Sequence, residues 1–166
     1  MAEQGHESEI RKLAEIIKGI KFAMLTTMEE DGCLHSRPMA TQDVEFDGDL
    51  WFFTRADAPK VSEAKQHHEV NVSFADTEHN KYVSACGTAT LVRDRAKIEE
   101  LWKAPYKTFF PEGLDDPAIA LLKISIHRAE YWDSPSSGLG RMFNFAKAYL
   151  AKDPSKLGDH AKIDLA

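Results

Sequence analysis

Cysteine is scarce in this chain. Cys33 and Cys86 are the only two thiols among 166 residues, they fall in separate predicted strands, and no disulfide framework can be built from them. Long apolar runs are missing as well. No stretch approaches the ~20 consecutive apolar residues that a membrane-spanning helix requires, and no N-terminal apolar segment resembles a secretory signal. A reduced, cytoplasmic protein without membrane insertion is expected. Positive charge is in deficit, with 21 Lys and Arg against 27 Asp and Glu and a net charge of −6. That balance argues against a partner held mainly by phosphate neutralisation, so no nucleic acid is expected.

Several catalytic signatures are also lacking. There are seven histidines but no H-x-x-x-H or C-x-x-C spacing. His67 and His68 are adjacent and diverge at a helix end, and His79 lies in a loop, so no metal site is expected. No G-x-S-x-G elbow and no P-loop occur, and no G-x-G-x-x-G opens a βαβ unit, which removes support for a nucleophilic serine or a Rossmann site. Small cysteines within strands are more often packing residues than nucleophiles. No side chain is singled out as an acid or base.

What is present suits one domain over residues 1–166, long enough for a single sizeable core. Ser8 is a candidate cap for a first helix with an apolar stripe of Ile10, Leu13, Ala14 and Ile17, ending near Gly19. Phe22 to Met28 predicts a strand, Glu29 to Gly32 a turn, and Cys33 to Thr41 the returning strand. Pro38 inside that return cannot donate to a ladder, which places it at an edge or bulge and aims Arg37 toward a cleft. Asp47-Gly48 marks another hairpin turn.

Further strands follow at Val70 to Ala75, at Val83 to Leu91 and from Leu122 to about Trp132, each alternating at period two. The Val83 strand has small side chains, as a tightly curved sheet requires. Ala96 to Trp102 predicts a short helix, and Tyr106 to Pro117 a structured connection over the barrel end. Asp133 to Gly140 reads as a turn or linker. Residues 141–151, with Met142, Phe145, Ala146 and Tyr149, predict an amphipathic helix that docks on the barrel or on a second subunit. Lys152 onward is polar and expected to fray. Without regular βαβα alternation, a small barrel with peripheral helices fits this order better than a doubly wound sheet. The three tryptophans and nine phenylalanines are mostly expected to fill the core.

The richest stretch runs from Leu50 to His67. An apolar strand, Leu50 to Phe53, gives way to polar Thr54 to Asp57, and a helix is predicted to start there with Asp57 as N-cap, Pro59 in the first turn and Val61, Ala64 and His68 at helical spacing. An unpaired helix start can satisfy an anion, and Arg55 and Lys60 would add positive charge. Most such junctions bind nothing, and Asp57 would oppose a phosphate.

Ser36-Arg37-Pro38-Met39, followed by Leu50-Trp51-Phe52-Phe53-Thr54 and then Lys60, resembles the general stress protein 26 group of the pyridoxamine-phosphate-oxidase-like family of FMN-binding split barrels. The likeness runs from about Ile10 to Trp132, with Phe22 to Thr27 as opening strand and Ala129 to Asp133 as closing one. It implies a six-stranded antiparallel split β-barrel with peripheral helices, assembled as a homodimer with FMN at the subunit interface. Arg37, Pro38, Met39 and Ala40 would run beside the isoalloxazine ring, and Phe53, Thr54 and Lys60 would hold the ribityl phosphate. Trp102 or Trp132 would border the ring from the partner subunit.

The implied activity is a flavin-dependent oxidoreductase passing electrons from NAD(P)H to an unidentified acceptor. The alternatives are a non-enzymatic flavin-binding or sensing protein, and a pyridoxamine-phosphate-oxidase-like enzyme on another substrate. Two departures matter. True oxidases of vitamin B6 carry arginine and histidine residues in a longer C-terminal segment, whereas Asp133 to Gly138 here is Ser-, Pro- and Gly-rich. At Asp57 the family often has a hydroxylic residue, and an ionised carboxylate cannot donate to phosphate.

Overall fold

The computed structural model describes residues 2–134, 138–153 and 158–165. The helix α1 (Ala2–Ile17) is followed by the strands β1 (Phe22–Met28), β2 (Leu34–Ala40) and β3 (Asp49–Arg55). Next come α2 (Pro59–Gln66), β4 (Glu69–Asp76), β5 (Lys81–Val92) and α3 (Arg95–Leu101), two short 3-10 turns, β6 (Ile119–Asp133), α4 (Gly138–Ala151) and β7 (Asp159–Asp164). The main path of the sheet runs β2-β1-β4-β5-β6-β3, and every ladder in it is antiparallel. Its end strands, β2 and β3, approach each other, yet among the described residues no ladder joins them. The result is the split six-stranded barrel with peripheral helices.

Turn chemistry sets the first hairpins. Gly32 takes φ +84° and Gly48 φ +110°, backbone that a side chain with a Cβ resists. The ladder that follows Gly32 puts Leu25 opposite Arg37 and Thr27 opposite His35, all on one face. Pro38 falls on the free edge of the sheet, where its missing N–H breaks no ladder bond.

The core lies between the inner sheet face and α1. Leu13 and Ile16 of α1 meet Leu25, Phe52, Val72 and Ile124, all buried. A satellite cluster of Ile98, Leu101, Phe110, Ile119 and Leu121 sits under α3 and the 3-10 turns, covered by Phe53, Trp102 and Tyr106. The small residues of β5 have a steric reason. A Cβ at Gly87 would lie 2.5 Å from the Ser125 carbonyl oxygen and 2.9 Å from Ile124, at a register shift between Cys86 and Gly87.

Several sequence expectations need correction. Asp57 does not cap α2: the N-cap is Ala58, with no side-chain bond to the helix. Arginine wins the carboxylate, since Arg55 donates to Asp57 through Nε at 3.2 Å and Nη2 at 3.3 Å. His68 lies beyond the end of α2, and Ser8 lies inside α1 and not at its start. The segment after Lys152 does not simply fray, because β7 pairs with the second half of β6 and buries Ile163. Its alternation is short and half polar, which hid it. Of the linker expected at Asp133 to Gly140, residues 135–137 lie outside the described residues, and α4 has already begun at Gly138. In α4, Ala148 is buried whereas Met142, Phe145 and Tyr149 stay exposed. No helix among the described residues is long and apolar enough to cross a membrane.

Candidate functional site

The end of β1, the middle of β2 and the first turns of α2 converge on one cationic corner. Strand alternation turns Thr27 and Arg37 to the same face of the β1–β2 ladder, and α2 packs over β1 there. Arg37 donates through Nη1 to Thr27 Oγ1 at 2.5 Å and through Nη2 to Glu63 Oε2 at 2.9 Å. Thr27 in turn donates its hydroxyl proton to Glu63. Thr27 is fully buried, and the Arg37 and Glu63 side chains keep only 16 % and 13 % of their exposure. Burial raises the Glu63 pKa, but the hydrogen bonds from Thr27 and Arg37 outweigh it and hold the carboxyl below its ordinary range.

Lys60 is the second cation of the corner. It is half buried in the first turn of α2, and no hydrogen bond or ion pair of its ammonium occurs among the described residues. Burial depresses its pKa, Arg37 pushes the same way, and only Glu63 opposes them. Arg37 and Lys60 thus share the one carboxylate of Glu63, with the His35–Glu29 pair beside it. Glu63 is already taken by Arg37 and Thr27, and an anion resting on Lys60 would supply the acceptor that its ammonium lacks. The backbone at the start of α2 adds less than a bare helix end, because Pro59 has no N–H and the Val61 N–H is bonded to the Ala58 carbonyl at 2.9 Å.

The other expected site residues are distributed unevenly. Met39 is buried in the main core; Pro38 and Ala40 lie on the opposite, outward face. Phe53 turns into the satellite cluster, 4.8 Å from the Tyr106 ring and 5.9 Å from Trp102. Trp102 is thereby engaged within its own chain. Thr54 is buried, its hydroxyl 3.3 Å from the Arg55 carbonyl. Arg55 is neutralised by Asp57 and reaches toward Asp116 at 3.9 Å, so it adds no free charge to the corner.

Trp132 lies near the far end of β6, stacked 5.3 Å from His160 of β7 with rings 11° from parallel. Through the ladders the end of β1 at Thr26 aligns with Asn71 of β4, Cys86 of β5 and Arg128 of β6, so Trp132 lies four residues along β6 from that level. One chain brings Arg37 and Lys60 together, whereas Trp132 stands on β6, three strands across the sheet from β1.

Glu63 and Thr27 were missed from the sequence. The spacing Pro59-Lys60-x-x-Glu63 places Lys60 and Glu63 three apart on one helix face, a signal that was available. Glu29, His35 and Glu63 also bring ligand atoms within 4.8 Å of one another. They are already satisfied, since His35 Nδ1 lies 2.9 Å from Glu29 and Glu63 is held by Arg37. A depression of about 240 Å³ beside α2 is walled by Glu29, Glu30 and Glu63, the wrong sign for an anion. A cleft of about 500 Å³ lies between α1 and residues 41–46, and neither Arg37 nor Lys60 lines it.

Comparison with known proteins gives a consistent picture. Residues 8–155 match the family described as pyridoxamine 5′-phosphate oxidase like. The chain is 26 % identical to the protein bli-3 of Neurospora crassa, over 95 % of this chain and 80 % of that one. Among solved structures it resembles a general stress FMN/FAD binding protein from Xanthomonas citri, with a TM-score of 0.67 at 28 % identity, over 79 % of this chain and 92 % of the other. It also shares its fold with a Clostridium acetobutylicum protein related to general stress protein 26 of Bacillus subtilis, at a TM-score of 0.70, 19 % identity and 96 % coverage of both chains.

Proposed function

The chain belongs to the pyridoxamine 5′-phosphate oxidase like family, and from that membership we propose that it is a stress-related flavoprotein of the general stress protein 26 kind, which seats the phosphate of FMN against Lys60. One observation carries this: a half-buried ammonium with no acceptor, set beside a guanidinium, in the first turn of the helix that follows β3. The similarity to the FMN/FAD binding protein of Xanthomonas citri supports a flavin as the ligand. A single phosphate matches Lys60, the one cation of the corner without a partner among the described residues, which favours FMN over the diphosphate of FAD.

The protein's part is to bind and orient. Lys60 closes on the phosphate, while the strand from Arg37 to Ala40 offers its edge to the ring. Bound there, FMN supplies the redox chemistry, which we assign to electron transfer from NAD(P)H to a small-molecule acceptor. We assign no side chain as acid or base. The binding surface is completed by a second copy of the chain. Phe22, Met24 and Met28 of β1, with Leu34 and Pro38 of β2, make an exposed and uncharged sheet face, the composition expected of a surface covered on assembly.

Fluorescence titration tests the site. Wild-type protein quenches FMN, and Lys60→Ala weakens the binding by roughly 1.5–3 kcal/mol, the range for a hydrogen bond to a charged group. An unchanged dissociation constant removes Lys60 from the site. Anaerobic mixing with NADH or NADPH tests the reaction. Bleaching of the flavin band supports the oxidoreductase, whereas a spectrum that stays oxidised makes the protein a flavin carrier or sensor.

A further inference from the structure

We propose that Glu63 is a positioning residue of the flavin corner: an internal counter-ion that keeps the Arg37 guanidinium on Thr27 and leaves Lys60 as the one cation that closes on the phosphate. This rests on the flavin reading above. The geometry is a closed triangle, in which Arg37 reaches Thr27 at 2.5 Å and Glu63 at 2.9 Å while Thr27 donates to the same carboxylate. All three groups are largely removed from water. Pulling Arg37 out to meet a phosphate would strand that carboxylate in a dry site, and the loss exceeds what one new charge-assisted bond returns. Arg37 therefore acts as a fixed background charge.

Two consequences follow for ligand choice. Arg37 and Lys60 less Glu63 leave one positive charge on these three side chains, beside the His35–Glu29 pair, so a flavin with one phosphate is preferred over riboflavin by a modest factor. Glu63 restrains this preference, because it offsets the potential that the phosphate feels. Replacing it by its neutral isostere makes the local charge more positive by one and loosens the hold on Arg37.

The test compares FMN with riboflavin, which lacks the phosphate, on wild-type protein and on Glu63→Gln. We expect the ratio of FMN to riboflavin affinity to rise about tenfold in the variant, with a steeper dependence on salt. A ratio that is unchanged or falls overturns the assignment, and a general loss of structure weakens both flavins together. Should the variant fail to fold, nitrogen-15 NMR of wild-type side chains decides. Addition of FMN should move the Lys60 signal and leave the Arg37 guanidinium with its slow rotation. Release of Arg37 on adding FMN overturns the proposal. A wild-type protein that binds neither flavin defeats the flavin reading instead, and the free-state rotation of Arg37 then tests the clamp alone: fast rotation overturns it.

Discussion

At the scale of single residues, charge placement decides between structure and binding. Arg37 and Glu63 face each other in a largely dry site, so Arg37→Ala leaves a carboxylate without its partner. We expect a loss of about 3 kcal/mol, the lower end for breaking a buried pair, read as a lower urea midpoint with an unchanged m-value. The pH dependence has a definite sign. The Glu63 pKa is lower in the folded chain than in the unfolded one, so its stabilising contribution is present above the unfolded value and disappears as pH falls through the folded value. In Arg37→Ala the acid transition should move to higher pH.

Lys60 behaves in the opposite sense. Its folded pKa is depressed by burial and by Arg37, against the pull of Glu63, so the folded chain gives up that proton at lower pH than the unfolded chain does. The free protein therefore gains stability from this group as pH rises from the folded toward the unfolded value. Flavin affinity should fall over the same interval, with proton uptake on binding. Calorimetry in two buffers of different ionisation heat measures this uptake, and its absence would exclude Lys60. The other charged or ionisable groups facing the corner are Glu63 itself and the His35–Glu29 pair.

At the scale of elements, the fold depends on close approach as much as on hydrophobic pattern. Gly87 lies where β5 and β6 shift register and where a Cβ would overlap the Ser125 carbonyl. Gly87→Ala should cost roughly 1–3 kcal/mol, the usual penalty for overpacking, and a thermal melt that does not move would show that the bulge relaxes freely. The sequence made much of this level legible. Alternation placed β4, β5 and β6, and glycine and proline placed the turns and the edge strand, because those signals are local. What it hid depends on neighbours far along the chain. Asp57 looks like a cap until Arg55 claims it, and β7 gains its identity only by pairing with β6. The Thr27–Arg37–Glu63 triangle joins two strands and a helix that no short motif connects, which is why Lys60 was found and Glu63 was not.

At the scale of the whole molecule, the account requires a second copy. The outward face of β1 and β2 is uncharged and mostly apolar, interrupted by the Thr26–Ser36 hydroxyl pair, while Trp132 stands three strands across the sheet from β1. A charge placed in the middle of that face should prevent assembly without touching the core. Met24→Arg is expected to give a folded monomer in sedimentation that has lost flavin binding, whereas a dimer with unaltered affinity would put the subunit contact elsewhere. The most direct measurement is a crystal structure of the wild-type protein grown with FMN. The account predicts the flavin phosphate within hydrogen-bonding distance of Lys60 Nζ, at the seam between two copies, with Arg37 still bound to Glu63. A phosphate bound elsewhere, with Lys60 facing solvent, would contradict it.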